Sequence, residues 1–273
     1  MIIEMKLTEK ELKEKYNPEG SILRKQQMRM LQILLELDRI CKKYNIPYFL
    51  YGGTLLGAIR HQGFIPWDDD LDVALYRKDY DKLMKILPNE LSEKFALQTN
   101  DTDKNYFYFF AKIRDKKSYL EEFCGYDRFF KEKGIFIDIF PFEKQQMWTH
   151  LIAERLQGHC YKISRTSKND KIAIKKIKAI TAFNRYFSFP ILKFLSKITC
   201  GKRFTYSNGI PFHLEYKEEY IHPLTTHLFE GHLFPVPCNS HEILTMQYGN
   251  YMQLPDLDHL PPGHAAKLEI YES

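Results

Sequence analysis

Several features that mark whole classes of protein are scarce in this chain. Its five cysteines are scattered and form no CxxC pair, so the sequence suggests neither a zinc site nor a disulfide framework. It has no run of about 18 apolar residues that would predict a membrane span. Its first twenty residues are too charged for a secretory signal peptide. These absences favour a globular protein of a reducing compartment, and we expect it to be cytoplasmic.

Positive charge is concentrated in one segment. The net charge of the chain is +5, yet residues 162–203 hold 12 Lys and Arg against a single acid, Asp170, so that segment is +11 and the rest sums to −6. We predict helices over 147–163, 171–181 and 187–198. The segment fits either a solvated helix face or a surface laid against anionic lipid headgroups on the inner face of a membrane. No nucleic-acid-binding module is visible, so we expect no nucleic-acid partner.

Most of the candidate functional residues lie in one segment, residues 51–76, YGGTLLGAIRHQGFIPWDDDLDVALY. A short apolar strand precedes Gly52 and Gly53, and a helix is predicted from Thr54, acting as its cap, to His61. A strand, a glycine turn and a helix N-terminus together are typical of a phosphate-binding site. Gly52, Gly53 and Thr54 are therefore candidate donor-binding residues.

Four acids close this stretch, Asp68, Asp69, Asp70 and Asp72. Leu71 to Leu75 reads as a strand, so Asp70 and Asp72 are predicted to project side by side. Two parallel carboxylates beside a phosphate seat suit Mg²⁺ bridging protein and nucleotide phosphates. We interpret Asp68 and Asp69 as turn or capping residues.

The motif GGTLLGAIRHQGFIPWDDDLDV resembles the signature of the LicD family, phosphocholine and related phosphotransferases built on the nucleotidyltransferase fold. The resemblance continues through residues 134–141 and 248–252. It implies an α+β fold, a nucleotidyltransferase-like mixed sheet flanked by helices. We predict a catalytic core at 1–145, a helical basic insertion at 146–205 and a C-terminal part at 206–273 that completes the catalytic domain.

An isolated acid, Asp138, interrupts the apolar run at 134–141. A buried acid there must be paired or metal-bound, whereas an edge position would leave it facing water. The resemblance makes Asp138 the third acid of a metal site with Asp70 and Asp72. That site would hold Mg²⁺, or Mn²⁺ instead, and Asp138 could serve as the base that activates an acceptor hydroxyl.

Five basic residues are candidates for donor contacts. Lys112 and Arg114 end a strand predicted over 105–114, and they would neutralise phosphate charge or simply form a solvated strand end. Arg60 and His61 end the short helix, where the helix dipole alone would favour them. The resemblance adds His264.

The resemblance implies transfer of phosphocholine from CDP-choline to a sugar hydroxyl of a lipid-linked glycan, such as teichoic acid or lipopolysaccharide. Another CDP-alcohol could replace CDP-choline. Aromatic faces would hold the quaternary ammonium, and the candidates include Trp67, Tyr106, Tyr126 and Phe129. The alternatives are nucleotidyl transfer to a sugar or alcohol, and a non-catalytic membrane-binding protein.

Overall fold

The computed structural model describes residues 8–260 and 262–271, and its central feature is a mixed sheet. The sheet has the strand order β1-β2-β6-β4-β3, with β7 paired to β6, and the remaining strands form two antiparallel pairs, β5 with β10 and β8 with β9. The strands are β1 (Phe49–Leu50), β2 (Asp72–Tyr76), β3 (Phe95–Gln98), β4 (Ala111–Asp115), β5 (Ser118–Glu122), β6 (Phe136–Gln145), β7 (Arg203–Tyr206), β8 (Thr225–Phe229), β9 (His232–Val236) and β10 (Ala265–Ile270).

Helices flank this sheet, which confirms the predicted α+β class. The helices are α1 (Glu9–Tyr16), α2 (Ile22–Tyr44), α3 (Gly52–His61), α4 (Arg77–Glu90), α5 (Met147–Thr166), α6 (Asp170–Phe183), α7 (Phe189–Ile198), α8 (Glu218–Ile221) and α9 (Ser240–Tyr248). A 3₁₀ turn at Tyr126–Phe129 and a π turn at Asn184–Ser188 complete the set. The likeness to the nucleotidyltransferase fold and the predicted domain limits stay predictions.

The two faces of the sheet have different compositions because side chains alternate along each strand. On one face, Val73 of β2, Ile113 of β4 and Ile139 of β6 are fully buried, and α2 and α4 pack against these strands. The residues between them, among them Asp72 and Asp138, point to the other face. The polar site therefore stands on a sheet whose opposite face is core.

The long helix α2 follows the sequence closely. Apolar residues at helical spacing predict a helix from Ser21 to Asn45, and Ser21 caps α2 by accepting a hydrogen bond from the Arg24 N–H. Its apolar face is buried, as the predicted spacing of Met30, Leu34 and Leu37 requires. Asn45 ends the helix in the left-handed conformation.

Two local predictions were wrong. The sequence predicts a helix over Lys78–Leu87 that stops before Pro88, but α4 runs to Glu90 and contains this proline. The strand predicted over 105–114 begins only at Ala111. Its neighbour β3 is short, and the pairing ends with Gln98 opposite Lys112, so the preceding aromatic residues have no strand on that side to pair with.

The basic segment folds as helices, as predicted, but two of them are joined. Helices α6 and α7 are connected through the π turn. The residues at its two ends, Phe183, Asn184, Ser188 and Phe189, all have right-handed helical backbone angles. Pro190 lies in the first turn of α7, directly after the π turn. Among the described residues, no helix is both long enough and apolar enough to cross a membrane.

Candidate active site

The candidate site begins as a row of charged residues across three strands. Asp72 of β2 lies opposite Asp138 of β6, and Asp138 lies opposite Lys112 of β4, so their side chains share one face of the sheet. The Lys112 ammonium is 2.8 Å from Asp138 Oδ1 and 3.6 Å from Glu122 Oε1. The sequence placed Asp72, Asp138 and Lys112 here, but it did not reveal that Lys112 pairs with Asp138.

The two glycines bring helix α3 against the acids. Gly52 has a φ of +56°, and a Cβ atom there would lie 2.8 Å from Asp72 Oδ2. A Cβ atom on Gly53 would lie 2.7 Å from Asp68 Oδ2 and 3.8 Å from Asp70 Oδ1. Only glycine allows the carboxylates to approach the helix N-terminus this closely, and the dipole of the helix favours negative charge there.

Thr54 does not cap helix α3, contrary to the prediction. Tyr51 precedes the first helical residue, and its side chain makes no capping hydrogen bond. The Thr54 hydroxyl instead accepts a hydrogen bond of 2.8 Å from the backbone N–H of Asp72. Thr54 thereby ties the helix to the start of β2, and its contact with a donor stays a prediction.

Helix α2 holds the acidic loop, residues 68–70, through two hydrogen bonds. Gln26 donates a hydrogen bond of 2.7 Å to the carbonyl of Asp69, and Gln27 donates one of 2.9 Å to the carbonyl of Asp68. Both glutamines are buried. Their amides satisfy loop carbonyls that would otherwise be buried without a partner.

The acids influence one another strongly. Burial, followed by the charge of Asp70, raises the pKa of Asp68 well above its ordinary value. Burial, followed by the charges of Asp70 and Asp138, does the same to the pKa of Asp72. Burial also raises the pKa of Asp138, to about 6, although the charge of Lys112 opposes it. Four carboxyl groups share a confined volume, and Asp68 belongs to this set although the sequence predicted only a turn residue.

His264 reaches the site from the C-terminal part of the chain. Its backbone N–H and its Nδ1 each lie 2.7 Å from a carboxylate oxygen of Asp69, and its Nε2 lies 3.6 Å from Asp70 Oδ2. The hydrogen bond to Asp69, and then the charge of Asp70, raise the pKa of His264 to about 9. The imidazolium is therefore charged at neutral pH, and Asp69 is the residue that positions it.

The charged row opens onto a cavity of about 340 Å³. Asp70, Asp72, Lys112, Asp138 and His264 all line it. Most of its remaining wall is aromatic, formed by Tyr108, Phe110, Phe123, Tyr126, Phe136, Phe140, Tyr161 and Phe212. Of the aromatic residues proposed from the sequence, Tyr126 lines this cavity, and Trp67, Tyr106 and Phe129 do not. A separate cavity of about 450 Å³ beyond Phe110 contains none of the predicted site residues.

Lys112 is already surrounded by aromatic rings. Its ammonium lies 3.3 Å from the centroid of the Phe136 ring and 5.5 Å from that of Phe110. Glu122, which the sequence did not single out, sits beside it. Burial alone would raise the pKa of Glu122, but the charges of Lys112 and Arg114 outweigh it and hold that pKa below its ordinary range.

Three other predicted donor contacts have their polar groups engaged inside the protein. Arg114 is buried and donates to Gln98, to the Gly134 carbonyl and to Glu122. Arg60 donates to His61 Nε2 and to the Tyr251 carbonyl. His61 Nδ1 lies 2.6 Å from a carboxylate oxygen of Glu9. None of the three lines the aromatic cavity, so their roles in donor binding stay predictions.

The acids suit a divalent cation that arrives with a phosphate ligand better than one fully enclosed by protein. In the chain from residue 8 to 271, leaving out 261, no three His, Cys, Asp or Glu side chains are arranged to hold a metal ion. Asp138 is paired with Lys112, so Asp70 and Asp72 are the candidate ligands, and the predicted metal contact of Asp138 stays a prediction. Mg²⁺ is usually held by one or two carboxylates together with substrate phosphates and water, and the mutual repulsion of these acids would favour it.

Comparison with known proteins decides the family. Residues 45–164 match the family described as LicD/FKTN/FKRP, nucleotidyltransferase domain. The chain is also 30% identical over 272 residues to the lipopolysaccharide cholinephosphotransferase LicD of Haemophilus influenzae, which covers 91% of this chain and 98% of that protein. The chain belongs to the LicD family. It is therefore a member of a family of transferases, and the region 45–164 contains both the acids and Lys112.

A further LicD-family relative shares only a short segment. The ribitol 5-phosphate transferase FKRP of mouse is 53% identical over 35 residues, which cover 13% of this chain and 7% of that protein. By its name, the Haemophilus relative transfers phosphocholine to lipopolysaccharide. The name of FKRP shows that a family relative moves a different phospho-alcohol.

Proposed function

We propose that this chain transfers phosphocholine from CDP-choline to a sugar hydroxyl of a cell-surface glycan, in a reaction that needs Mg²⁺ or Mn²⁺. The observation that carries the proposal is that the acids and Lys112 open directly into an aromatic cavity. Carboxylates and an ammonium suit a diphosphate with its metal ion, and an aromatic wall suits a quaternary ammonium. The diphosphate and the choline of CDP-choline would thus each contact suitable side chains in adjoining parts of one cavity.

The aromatic wall argues for choline over an uncharged alcohol. A quaternary ammonium has no N–H to donate, so it is held by ring faces and by nearby negative charge. Tyr108, Phe110 and Phe136 already accept the Lys112 ammonium within 6 Å of their ring centroids. A polyol such as ribitol would instead need a hydrogen-bonding partner for each of its hydroxyls, and five of the eight rings of this wall are phenylalanine.

The acids divide into two roles. Asp70 and Asp72 would hold the metal ion, which when bound neutralises charge on the donor phosphates. Asp138 would accept the proton of the acceptor hydroxyl, because a pKa of about 6 leaves it mostly ionised at neutral pH and still basic enough for the task. Lys112 holds Asp138 in place and adds positive charge beside the transferred group.

The backbone N–H groups of Gly52 and Gly53, at the N-terminus of α3, would bind phosphate oxygens next to the metal ligands. The acceptor would be a lipid-linked glycan, teichoic acid or lipopolysaccharide, and the protein would work in the cytoplasm or on the inner face of the membrane. The Haemophilus relative's name supports lipopolysaccharide among these.

A panel of CDP-alcohols tests the proposal. The protein is incubated with lipopolysaccharide or teichoic acid as acceptor, with CDP-choline, CDP-ethanolamine, CDP-ribitol or CDP-glycerol as donor, and with Mg²⁺ or with chelator, and CMP release is measured. We expect CMP from CDP-choline only when the metal is present. CMP from CDP-ribitol alone would contradict the assignment of choline, and no CMP from any donor would contradict the reaction.

The rival reaction is nucleotidyl transfer, which the description of the matching family favours. It would use the same acids, but the acceptor oxygen would attack the phosphorus of the nucleotide and not the phosphorus that carries the alcohol. CTP with a phospho-alcohol, or with a sugar, would then give pyrophosphate, whereas the proposed reaction gives CMP. The mass of the product distinguishes the two.

A further inference from the structure

The path from α6 through the π turn to α7 carries a row of exposed apolar side chains. They recur every three or four residues, as one face of a helix requires, and each is between 57% and 63% exposed. We call this row the apolar stripe, and it consists of Phe183, Phe187, Ile191, Phe194 and Ile198. The rings of Phe183 and Phe187 stack on each other with centroids 5.6 Å apart.

The stripe faces outward because the opposite side of the same helices is fixed. Ile177 and Leu192 are buried in the protein, and Phe189 packs against Phe109 with ring centroids 4.7 Å apart. The helices therefore cannot turn to bury the stripe. A folded monomer rarely exposes an apolar row of this length without a partner for it.

The apolar surface extends onto the neighbouring helix. Trp148, Leu151 and Ile152, at the start of α5, are each between 42% and 43% exposed. This end of α5 adjoins α7, since the Gln146 N–H donates a hydrogen bond of 2.7 Å to the hydroxyl of Ser196. Two adjacent helices thus offer exposed apolar side chains.

Lysines accompany the stripe. Lys171, Lys175 and Lys178 on α6 are exposed, and within the described chain no carboxylate lies at ion-pair distance from them. The surrounding segment, 162–203, has a net charge of +11. Its two best-placed ion pairs, Arg185 with Asp101 and Lys193 with Glu143, leave these three lysines unused.

We propose that this face binds the surface of an anionic lipid bilayer, with the axis of α6 and α7 parallel to the membrane and the apolar stripe in the headgroup region. A helix with Phe and Ile on one side and Lys on its flanks is the pattern of an interfacial segment that lies on a membrane without crossing it. The lysines would contact anionic headgroups while the rings enter the boundary with the acyl chains.

The charge and the apolar row together select this partner. A second copy of the chain would bring two segments of +11 together, and their repulsion opposes such a dimer. A nucleic acid would satisfy the lysines but would leave the stripe in water. A lipid surface satisfies both.

Sedimentation with vesicles tests the proposal on the full chain. Vesicles of phosphatidylcholine alone are compared with vesicles in which phosphatidylglycerol makes up about a third of the lipid. We expect sedimentation with the second kind only, weakened as salt is raised from about 0.05 M to 0.5 M. Replacing Lys171, Lys175 and Lys178 by Gln should weaken binding by roughly 100-fold, at about fivefold for each lysine.

A matched pair of triple variants isolates the stripe. Phe187→Gln, Ile191→Gln and Phe194→Gln together should weaken vesicle binding at least tenfold, by an order-of-magnitude estimate from the apolar area lost. Ile22→Gln, Leu233→Gln and Met252→Gln remove apolar side chains that are 55%, 62% and 58% exposed but lie elsewhere, and they should leave binding unchanged.

Three results of the vesicle assay would overturn the proposal. The first is equal binding to both kinds of vesicle, the second is equal loss in both triple variants, and the third is no binding by the unchanged chain. If the unchanged chain is a dimer and the stripe variant a monomer, a second copy covers the stripe and the proposal is wrong. Circular dichroism and thermal unfolding confirm that each variant is folded.

Discussion

The candidate site and the α6–α7 face treat charge in opposite ways. In the site, Lys112, Arg114 and Glu122 are buried, Asp138 is half-buried, and both cations lie within 4 Å of a carboxylate. On the α6–α7 face, Lys171, Lys175 and Lys178 are exposed and meet no carboxylate of the described chain. Buried charges must be paired inside the molecule, whereas water solvates exposed charges, which therefore stay available to an external partner.

This contrast indicates where each kind of ligand would bind. The buried network holds a few side chains at fixed distances, which suits the placement of a reacting phosphate. The exposed face has no such fixed geometry, which suits a fluid surface with many equivalent headgroups. The predictions below test the contrast, in order of expected effect.

The largest effect is expected at Asp138. Asp138→Asn keeps the shape of the side chain but removes its basicity, and it should lower CMP release from CDP-choline by about 10²–10⁴-fold. Asp101→Asn, which alters a carboxylate paired with Arg185 on the surface, is the control and should retain activity. An active Asp138→Asn protein would mean that Asp138 is not the base.

The next effect concerns stability. Arg114→Met leaves the buried Glu122 with one cation fewer and should lower the free energy of unfolding by about 3–5 kcal/mol, as breaking a buried pair does. Lys144→Gln removes the exposed pair with Glu218, whose side chains are 47% and 55% exposed, and should cost less than about 1 kcal/mol. Urea unfolding measures both, and equal losses would remove the distinction between the two kinds of charge.

A third test uses a pair that is intermediate in burial. Glu230 accepts a hydrogen bond of 2.7 Å from Arg24 and one of 3.1 Å from the Phe64 N–H. Burial raises the pKa of Glu230, but these hydrogen bonds and the charge of Arg24 hold it below its ordinary value of 4.5. Since the folded pKa is depressed, the pair stabilises the protein fully above pH 4.5, and this contribution is lost as the pH falls through the folded pKa.

The measurement for that pair is the free energy of unfolding against pH, for the unchanged protein and for Glu230→Gln. The difference between the two curves should shrink as the solution becomes more acidic. A constant difference would show that Glu230 acts through packing and not through its charge.

The smallest effect is expected on the exposed face. Lys175→Gln and Lys178→Gln should each change the free energy of unfolding by less than about 0.5 kcal/mol, because neither ammonium has a partner to lose among the described residues. Thermal unfolding checks this. A larger loss would mean that these lysines serve the fold and are not available to lipid.

Much of the site could be predicted because its residues lie close together in sequence. Gly52, Gly53, Asp70 and Asp72 share one stretch, and period-two alternation places the two acids side by side. Asp138 stood out because a charged residue in an apolar strand needs a partner. The long helix α2 followed from its spacing of apolar residues.

The remaining features depend on contacts between distant parts of the chain. The pairing of Lys112 with Asp138 is a matter of strand register, and local patterns do not set the register between β4 and β6. Arg114 looked like a strand end because the sequence does not show that β3 pairs with β4 beside it. Asp69 and His264 are 195 positions apart in the sequence, so Asp69 looked like an ordinary turn residue.

The hold that Gln26 and Gln27 keep on the acidic loop has a consequence for turnover. Because two side-chain amides of a rigid helix fix the loop carbonyls, the loop has few other conformations to lose when a donor binds. The arrangement of acids would then exist before the substrate arrives, and the entropy of ordering this loop would already be part of folding. Replacing either glutamine should therefore weaken donor binding, although neither side chain lines the aromatic cavity.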